Sequence, residues 1–110
     1  MLFRSNYADG ALHDLLFAYE ENKIIFGDDY NIPESNNGTP DILDEVKYEF
    51  DWLLKMQESN GSILHKIASI EWGDDVSPPS IDTIVRRYAP ASASATISGA
   101  GTFEIGRAHV

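Results

Sequence analysis

The segment NIPESNNGTPDILDEVKYEFDWLLKMQ, residues 31–57, decides the fold of this 110-residue chain. Its first part is polar and contains Pro33 and two Asn residues before a Gly, which predicts a loop. From residue 41 onward, apolar residues recur at three- and four-residue spacing, which predicts a buried helix. Thr39 is the expected N-cap, and Pro40 suits the first helical position, where the missing N–H costs nothing.

The predicted helix carries two apolar stripes, whereas a surface helix of a small domain needs one. At about 100° per residue the two stripes lie on nearly opposite sides of the helix. Such a helix suits a position between neighbours in a layered helical assembly. The first stripe contains Leu43, Val46, Phe50, Leu53 and Leu54, and the second contains Tyr48, Trp52 and Met56.

Further elements are predicted on both sides of this helix. Apolar spacing predicts an earlier helix over residues 8–21, with Leu12, Leu15, Leu16 and Tyr19 on one face. Alternating residues predict a short extended segment over residues 63–68. A stretch rich in small residues, 89–103, predicts a third helix, although each internal glycine weakens it by about 1 kcal/mol. The chain is therefore predicted to be all-α apart from one short extended segment.

The composition excludes several classes of function. Eighteen acidic and eight basic residues give a formal net charge of −10, whereas nucleic-acid binding needs clustered Lys and Arg. No apolar run approaches the roughly 18 residues of a membrane span. The absence of cysteine excludes disulfides and thiolate metal sites. We therefore expect neither a nucleic-acid partner nor a membrane partner.

No sequence motif of a known reaction type identifies an activity for this chain. No Gly-x-Ser-x-Gly elbow, phosphate-binding loop or HExxH motif occurs. The acidic loop GDDYNIPESNNG fails the EF-hand pattern, because counting from Asp29 places Pro33 at the fifth position, and counting from Asp28 places Tyr30 at the third. A solvated loop is the better interpretation of this segment.

Both ends of the chain read as translated sequencing adapters. EIGRAHV, residues 104–110, is encoded by GAGATCGGAAGAGCACACGTC, and LFRS, residues 2–5, by CTCTTCCGATCT. Adapters of this kind are ligated to DNA fragments for short-read sequencing. We therefore expect residues 6–103 to be the biological sequence, and residues 1–5 and 104–110 to be non-native additions, which are set aside in predicting the fold.

The loop and helix together carry a family resemblance. FGDDYNIPESNNGTPDILDEVKYEFDWLLKMQ, residues 26–57, closely resembles the family 9 glycoside hydrolases, the cellulase-type endoglucanases. The resemblance continues in LLFAYE (15–20), GSILHKIAS (61–69) and RRYAPASASAT (86–96). It covers nearly all of residues 11–98, in the family's order. The chain is thus identified as part of a catalytic domain of this family.

The resemblance implies a fold and a reaction. The fold is an (α/α)6 barrel of six inner and six outer helices, of which this all-α chain would be a fragment. The reaction is hydrolysis of β-1,4-glucan with inversion, in which one carboxylate activates water and a second carboxyl group protonates the leaving oxygen. The two carboxyl groups lie roughly 6.5–9.5 Å apart, so that the water fits between them. Family members are typically secreted, which implies an extracellular location. No cofactor is expected for this chain, and the resemblance leaves open whether the full-length parent binds calcium.

The resemblance also bears on individual residues. The family's catalytic base lies well before the position of Tyr19 and its acid near the far end of the barrel, so neither catalytic carboxylate is expected in this chain. Asp9 is a poor substitute for the base because it lacks the family's paired Asp. His65 matches a histidine that lines the family's cleft, and Trp72 falls near an aromatic position that could form a sugar platform.

Two interpretations of function follow. In the first, the chain is a fragment of a cellulose hydrolase that is inactive alone. In the second, it is a free-standing acidic helical module that binds carbohydrate or a cation without catalysis. The first is favoured, because a few helices with two apolar faces leave large hydrophobic patches bare when they stand alone.

Overall fold

Three α-helices and a small sheet make up the computed structural model, which describes residues 3–70 and 79–109. One strand precedes the first helix, and the other two lie between the second and the third helix. The elements are β1 (Phe3–Arg4), α1 (Asp9–Glu21), α2 (Asp41–Lys55), β2 (Lys66–Ser69), β3 (Arg86–Tyr88) and α3 (Ala93–Gly106), with short 3₁₀ turns at Lys23–Ile25 and Pro79–Ile81.

The three strands form one antiparallel sheet in the order β1-β2-β3. Ile67, in the central strand, pairs with Phe3 on one side and Tyr88 on the other. The expectation of an all-α chain with one short extended segment is therefore confirmed in part: the chain is mostly helical, and its extended segment becomes the central strand of a small sheet that was not predicted. Its strand pairs join segments far apart in sequence, which the periodicity of a single segment does not show.

The core lies between α2 and the other two helices. One buried cluster joins residues of α1 and α2, and Phe103 of α3 packs against it. A second, smaller cluster joins the end of α2 to the segment before β2 and to α3, with Trp52 packed against both clusters. The buried members are Leu12, Leu16, Leu43, Val46, Phe50 and Leu53 in the first cluster, and Met56, Ile63 and Ala95 in the second.

The start of α2 differs from the prediction. Thr39 is not the N-cap; Pro40 occupies that position, and no side chain caps the helix there. The backbone N–H of Thr39 is instead bound by the side-chain oxygen of Asn37, 2.7 Å away. The acidic first turn is confirmed, since Asp41 and Asp44 lie within it and complement the positive end of the helix dipole.

The two predicted stripes of α2 are buried unequally. In the first stripe every member is buried except Leu54, whose residue is 54% exposed. In the second, Met56 is buried and Trp52 half-buried, whereas Tyr48 is 75% exposed. The segment leading into β2 packs against the C-terminal end of α2, around Ile63, so the second stripe is covered only there.

The flanking helices are confirmed with shifted details. Leu15, expected on the buried face of α1, is 38% exposed. The third helix begins later than predicted, because Ala91 pairs with Leu64 in an isolated bridge that keeps the chain extended. Ser92 then caps α3, accepting a hydrogen bond from the N–H of Ala95 at 3.1 Å.

Gly99 lets α3 approach the segment before β2 closely. A Cβ atom built on Gly99 would lie 2.1 Å from Cδ1 of Ile63, a side chain that is itself buried. A Cβ on Gly101 would meet no atom within 4 Å. The two glycines therefore differ. Gly99 is needed for the close packing against Ile63, whereas Gly101 makes no such contact and only lowers the stability of the helix.

The loop between α1 and α2 is held by two aspartates. The carboxylate of Asp28 accepts hydrogen bonds from the backbone N–H groups of Asn36 (2.5 Å), Asn37 (3.3 Å) and Gly38 (2.6 Å). Chiefly the Gly38 bond holds the pKa of Asp28 below its usual value of 3.8. Asn36 and Gly38 both have positive φ, so this tight turn depends on residues that tolerate the left-handed region.

The second aspartate ties the loop to the helix. Asp41 is 1% exposed, and its Oδ2 accepts from the N–H of Tyr30 (2.6 Å) and the hydroxyl of Ser35 (2.7 Å). The predicted loop over residues 27–38 is thus confirmed, but it is an ordered, internally bonded loop and not a loosely solvated one.

We expect opposite effects from alanine at the two glycines of α3. G99A should lower the free energy of unfolding by about 1–2 kcal/mol, because the new methyl group overpacks against Ile63. G101A should raise it by about 0.5–1 kcal/mol, because alanine favours the helix and meets open space. Urea unfolding followed by circular dichroism in dilute solution measures both, and equal effects would show that the close approach at Gly99 is absent.

The loop should also respond to acid through Asp28. Because its folded-state pKa is lowered, its contribution to stability is complete above the unfolded pKa and is lost as the pH falls through the folded value, below 3.8. The amide proton shift of Gly38 in NMR spectra should follow this titration and should lose it in D28N. D29N, which changes the exposed neighbour, serves as the control and should leave the Gly38 titration intact.

Candidate functional site

His65 lies directly before β2 and is fixed by its backbone. Its N–H donates to the carbonyl of Pro90 at 3.1 Å, and its carbonyl accepts from the N–H of Ser5 at 3.0 Å. The residue is half-buried, and among the described residues no hydrogen-bond partner reaches its buried ring atom Nδ1. An imidazole with unused bonding capacity can donate to or accept from a hydroxyl group.

Trp72, the second predicted sugar contact, lies outside the described residues. Its role as a platform for a sugar ring stays a prediction. The same holds for the predicted loop over residues 73–79, except that Pro79 begins the second 3₁₀ turn.

Asp9 has a structural role in the described part of the chain. Its Oδ1 accepts from the N–H of Gly10 and its Oδ2 from the hydroxyl of Ser98, both at 2.7 Å. The carboxylate thus joins the start of α1 to α3. Each of its oxygens accepts one hydrogen bond within the fold, which is the role of a structural carboxylate at this position.

A groove with mixed chemistry lies between the outer side of α2 and the sheet. We call it the α2–sheet groove; its volume is about 490 Å³. It combines aromatic rings, an apolar strand residue and charges of both signs. Its lining residues are Tyr48, Glu49, Asp51, Trp52, Lys55, Ile67 and Arg86.

Glu49 is the unusual group of this groove. Burial of its side chain raises its pKa above the ordinary value of 4.5. Its buried Oε1 has no hydrogen-bond partner among the described residues. No sequence motif marked this residue, and the groove that it lines is completed by Ile67 and Arg86 of the sheet, far along the chain. The nearest signal was the second stripe, whose members Tyr48 and Trp52 flank it.

No group of three or more His, Cys, Asp or Glu side chains is arranged to hold a metal ion in the regions 3–70 and 79–109. Within the same regions, no helix has both the length and the apolar character that crossing a membrane requires.

Comparison with known proteins gives a consistent set of relatives, although no family model matches the chain. Endoglucanase D of Acetivibrio thermocellus is 43% identical over 67 residues, which cover 59% of this chain and 11% of that protein. The xyloglucan-specific endo-beta-1,4-glucanase BoGH9A of Bacteroides ovatus is 44% identical over 59 residues, covering 53% of this chain and 10% of that protein. The chain thus spans about a tenth of the length of the curated relatives that it matches.

The fold agrees with these sequence matches. The crystal structure of a metagenome-derived glycoside hydrolase family 9 endoglucanase superposes with a TM-score of 0.86 and 31% identity, over 94% of this chain and 19% of that one. By sequence and by fold together, the chain corresponds to a segment of the family 9 glycoside hydrolases.

Proposed function

We propose that the chain is a segment of an inverting β-1,4-glucan hydrolase, a cellulase whose catalytic domain is an (α/α)6 barrel, and that this segment alone cleaves no glucan. The observation that carries the proposal is the agreement of sequence and fold with family 9 endoglucanases over a small part of their length. Because the substrate is a polymer too large for uptake, the parent enzyme is placed outside the cell.

The shape of the segment supports its place in a larger body. Its radius of gyration is 16.1 Å, whereas a compact domain of this length has about 13 Å. Large apolar side chains on α1 and α3 are exposed to solvent, such as Phe17 and Ile97. Further helices of a barrel would cover these faces, and an exposed apolar surface of this kind is unusual for a separate small domain.

The absence of activity in the segment follows from what inversion requires. Two carboxyl groups must face each other across the scissile bond with room for a water molecule between them. Asp9 binds Gly10 and Ser98, and Asp28 and Asp41 hold the loop before α2. These carboxylates are engaged in the fold, so we place both catalytic groups in parts of the parent outside this chain.

His65 is the residue of this segment that we assign to the substrate. Within the native segment its N–H is bonded to the carbonyl of Pro90, and its ring has spare bonding capacity, so the side chain can meet a glucose hydroxyl from a fixed position. Trp72 is proposed, from the resemblance alone, as a platform for a sugar ring. No metal or cofactor takes part in this assignment.

The ends of the chain belong to the same proposal. Residues 1–5 and 104–110 are taken as adapter-derived and residues 6–103 as the native segment. The parent DNA, amplified from the original sample across position 103, should encode a different sequence after Phe103 and should continue to a Glu in the last part of the barrel. An identical EIGRAHV in the genomic DNA would contradict the adapter origin.

The proposed activity is tested with the chain and with a chimera. The purified 110-residue chain should release no reducing sugar from carboxymethylcellulose. Endoglucanase D in which residues 11–98 of this chain replace the corresponding segment should be active. In that chimera H65A should lower kcat/KM about tenfold, the loss expected for one hydrogen bond of about 1.4 kcal/mol that is made to the substrate.

The control for this variant is H13A. His13 lies on α1 beside Phe17 and matches no predicted sugar contact, so kcat/KM should stay within about twofold of the parent chimera. Cleavage of glucan by the isolated chain would contradict the placement of the catalytic carboxylates. Equal kcat/KM in H65A and the parent chimera would contradict the role of His65.

A further inference from the structure

Two asparagines of the chain are directly followed by a glycine: Asn37 by Gly38, and Asn60 by Gly61. At such a pair the glycine nitrogen can attack the side-chain amide of the asparagine, because glycine has no Cβ that hinders the approach. Both asparagines are exposed; the first lies in the loop before α2 and the second in the turn after it. The hydrogen bonds around the two pairs differ, and this difference bears on which of them reacts.

The turn around Asn60 joins the end of α2 to the segment before β2. The N–H of Glu58 donates to the carbonyl of Ser62 at 2.8 Å, and the N–H of Gly61 donates to the carbonyl of Glu58 at 2.9 Å. Gly61 has a φ of 88°, the left-handed conformation that glycine adopts readily in tight turns of this kind. These bonds hold Asn60 in the middle of the turn, in contact with solvent.

The side-chain amide of Asn60 is held at its oxygen and free at its nitrogen. Its Oδ1 accepts from the N–H of Ser62 at 2.9 Å and lies 2.7 Å from the hydroxyl oxygen of the same residue. Donors at this oxygen stabilise the negative charge that develops on it when a nucleophile attacks Cγ. Among the described residues no hydrogen bond is made by Nδ2, so this atom can leave without breaking one.

The other pair is restrained at both reacting atoms. The leaving atom, Nδ2 of Asn37, donates to Oδ2 of Asp44 at 3.0 Å. The attacking atom, the nitrogen of Gly38, donates its proton to the carboxylate of Asp28 at 2.6 Å. Loss of that proton would place an anion beside a carboxylate, which electrostatic repulsion opposes. The nitrogen of Gly61 bonds to a neutral carbonyl instead.

We propose that Asn60 is a site of spontaneous deamidation in the folded chain, whereas Asn37 is protected. The nitrogen of Gly61 attacks Cγ of Asn60, the Cγ–Nδ2 bond breaks, and the proton of the Gly61 N–H leaves with Nδ2 as ammonia. Water then opens the succinimide ring. Attack of water at Cγ gives aspartate, and attack at the backbone carbonyl carbon gives isoaspartate. The inference is independent of the proposed function, since it involves no glucan and no part of the parent outside this chain.

Either product adds a carboxylate to the turn. The new charge lies close to Glu58, whose Oε2 is 2.8 Å from the hydroxyl oxygen of Ser62, so repulsion between the two carboxylates weakens the closed turn. Isoaspartate also leads the backbone through Cβ and lengthens it by one atom, which the bond between Glu58 and Ser62 has to accommodate. Deamidation therefore changes the turn that leads into the segment carrying His65.

The test incubates the 110-residue chain at neutral pH and follows both asparagines by peptide mass spectrometry and by labelling with an isoaspartate methyltransferase. In the folded chain Asn60 should deamidate at least about fivefold faster than Asn37, a difference that one hydrogen bond can produce. In concentrated urea the two rates should agree within about twofold, since each asparagine then merely precedes a glycine. N60Q is the control for the site and should remove the isoaspartate signal from this turn.

D28N tests the protection of the other pair. It removes the charged acceptor of the Gly38 N–H, so Asn37 should deamidate at least about threefold faster while Asn60 keeps its rate. D29N, at the exposed neighbouring position, is the matched control and should leave both rates unchanged. Equal rates at the two asparagines in the folded chain, or the same difference in urea, would overturn the inference. An unchanged rate at Asn37 in D28N would overturn the protection by Asp28.

Discussion

The burial of one face of α2 is the constraint on which the rest of the structure depends. Leu43, Val46, Phe50 and Leu53 lie along that face and join α1 and α3 into one core. Burial of four such side chains is worth several kcal/mol, about 1.5–3 kcal/mol each. The loop before α2 and the turn after it are anchored relative to this helix, so its position sets where both the His65 region and the α2–sheet groove lie.

Local signals were sufficient for the helices and the loop. The apolar spacing of α1 and α2 predicted both helices within one or two residues, because each buries a continuous stripe within a single segment. The N-cap of α2 was wrong, since Thr39 was judged by its residue type alone. In the structure Asn37 binds its N–H and the helix begins after Pro40 without a side-chain cap.

Non-local contacts account for what the sequence did not predict. The sheet pairs β2 with β1 and β3, which lie about twenty or more residues away along the chain. Met56, after the end of α2, is buried against Ile63 and Ala95, which lie further along the chain, whereas Tyr48 stays exposed. The pKa of Glu49 is raised by burial of its side chain, which no local pattern marks. His65 was found through a resemblance between short strings, whereas the groove beside α2 has no string that marks it.

The side chain of Ile63 occupies the space that a side chain at position 99 would need. The residue types tolerated at the two positions therefore depend on each other in any recombined enzyme. A larger residue at 99 needs a shorter one at 63, because the Cβ would enter the space of the Ile63 methyl group. A crossover point placed between residues 63 and 99 would separate the two and would combine residues at these positions from different parents. Libraries built by shuffling related genes would thus lose members whose breakpoints fall between positions 63 and 99.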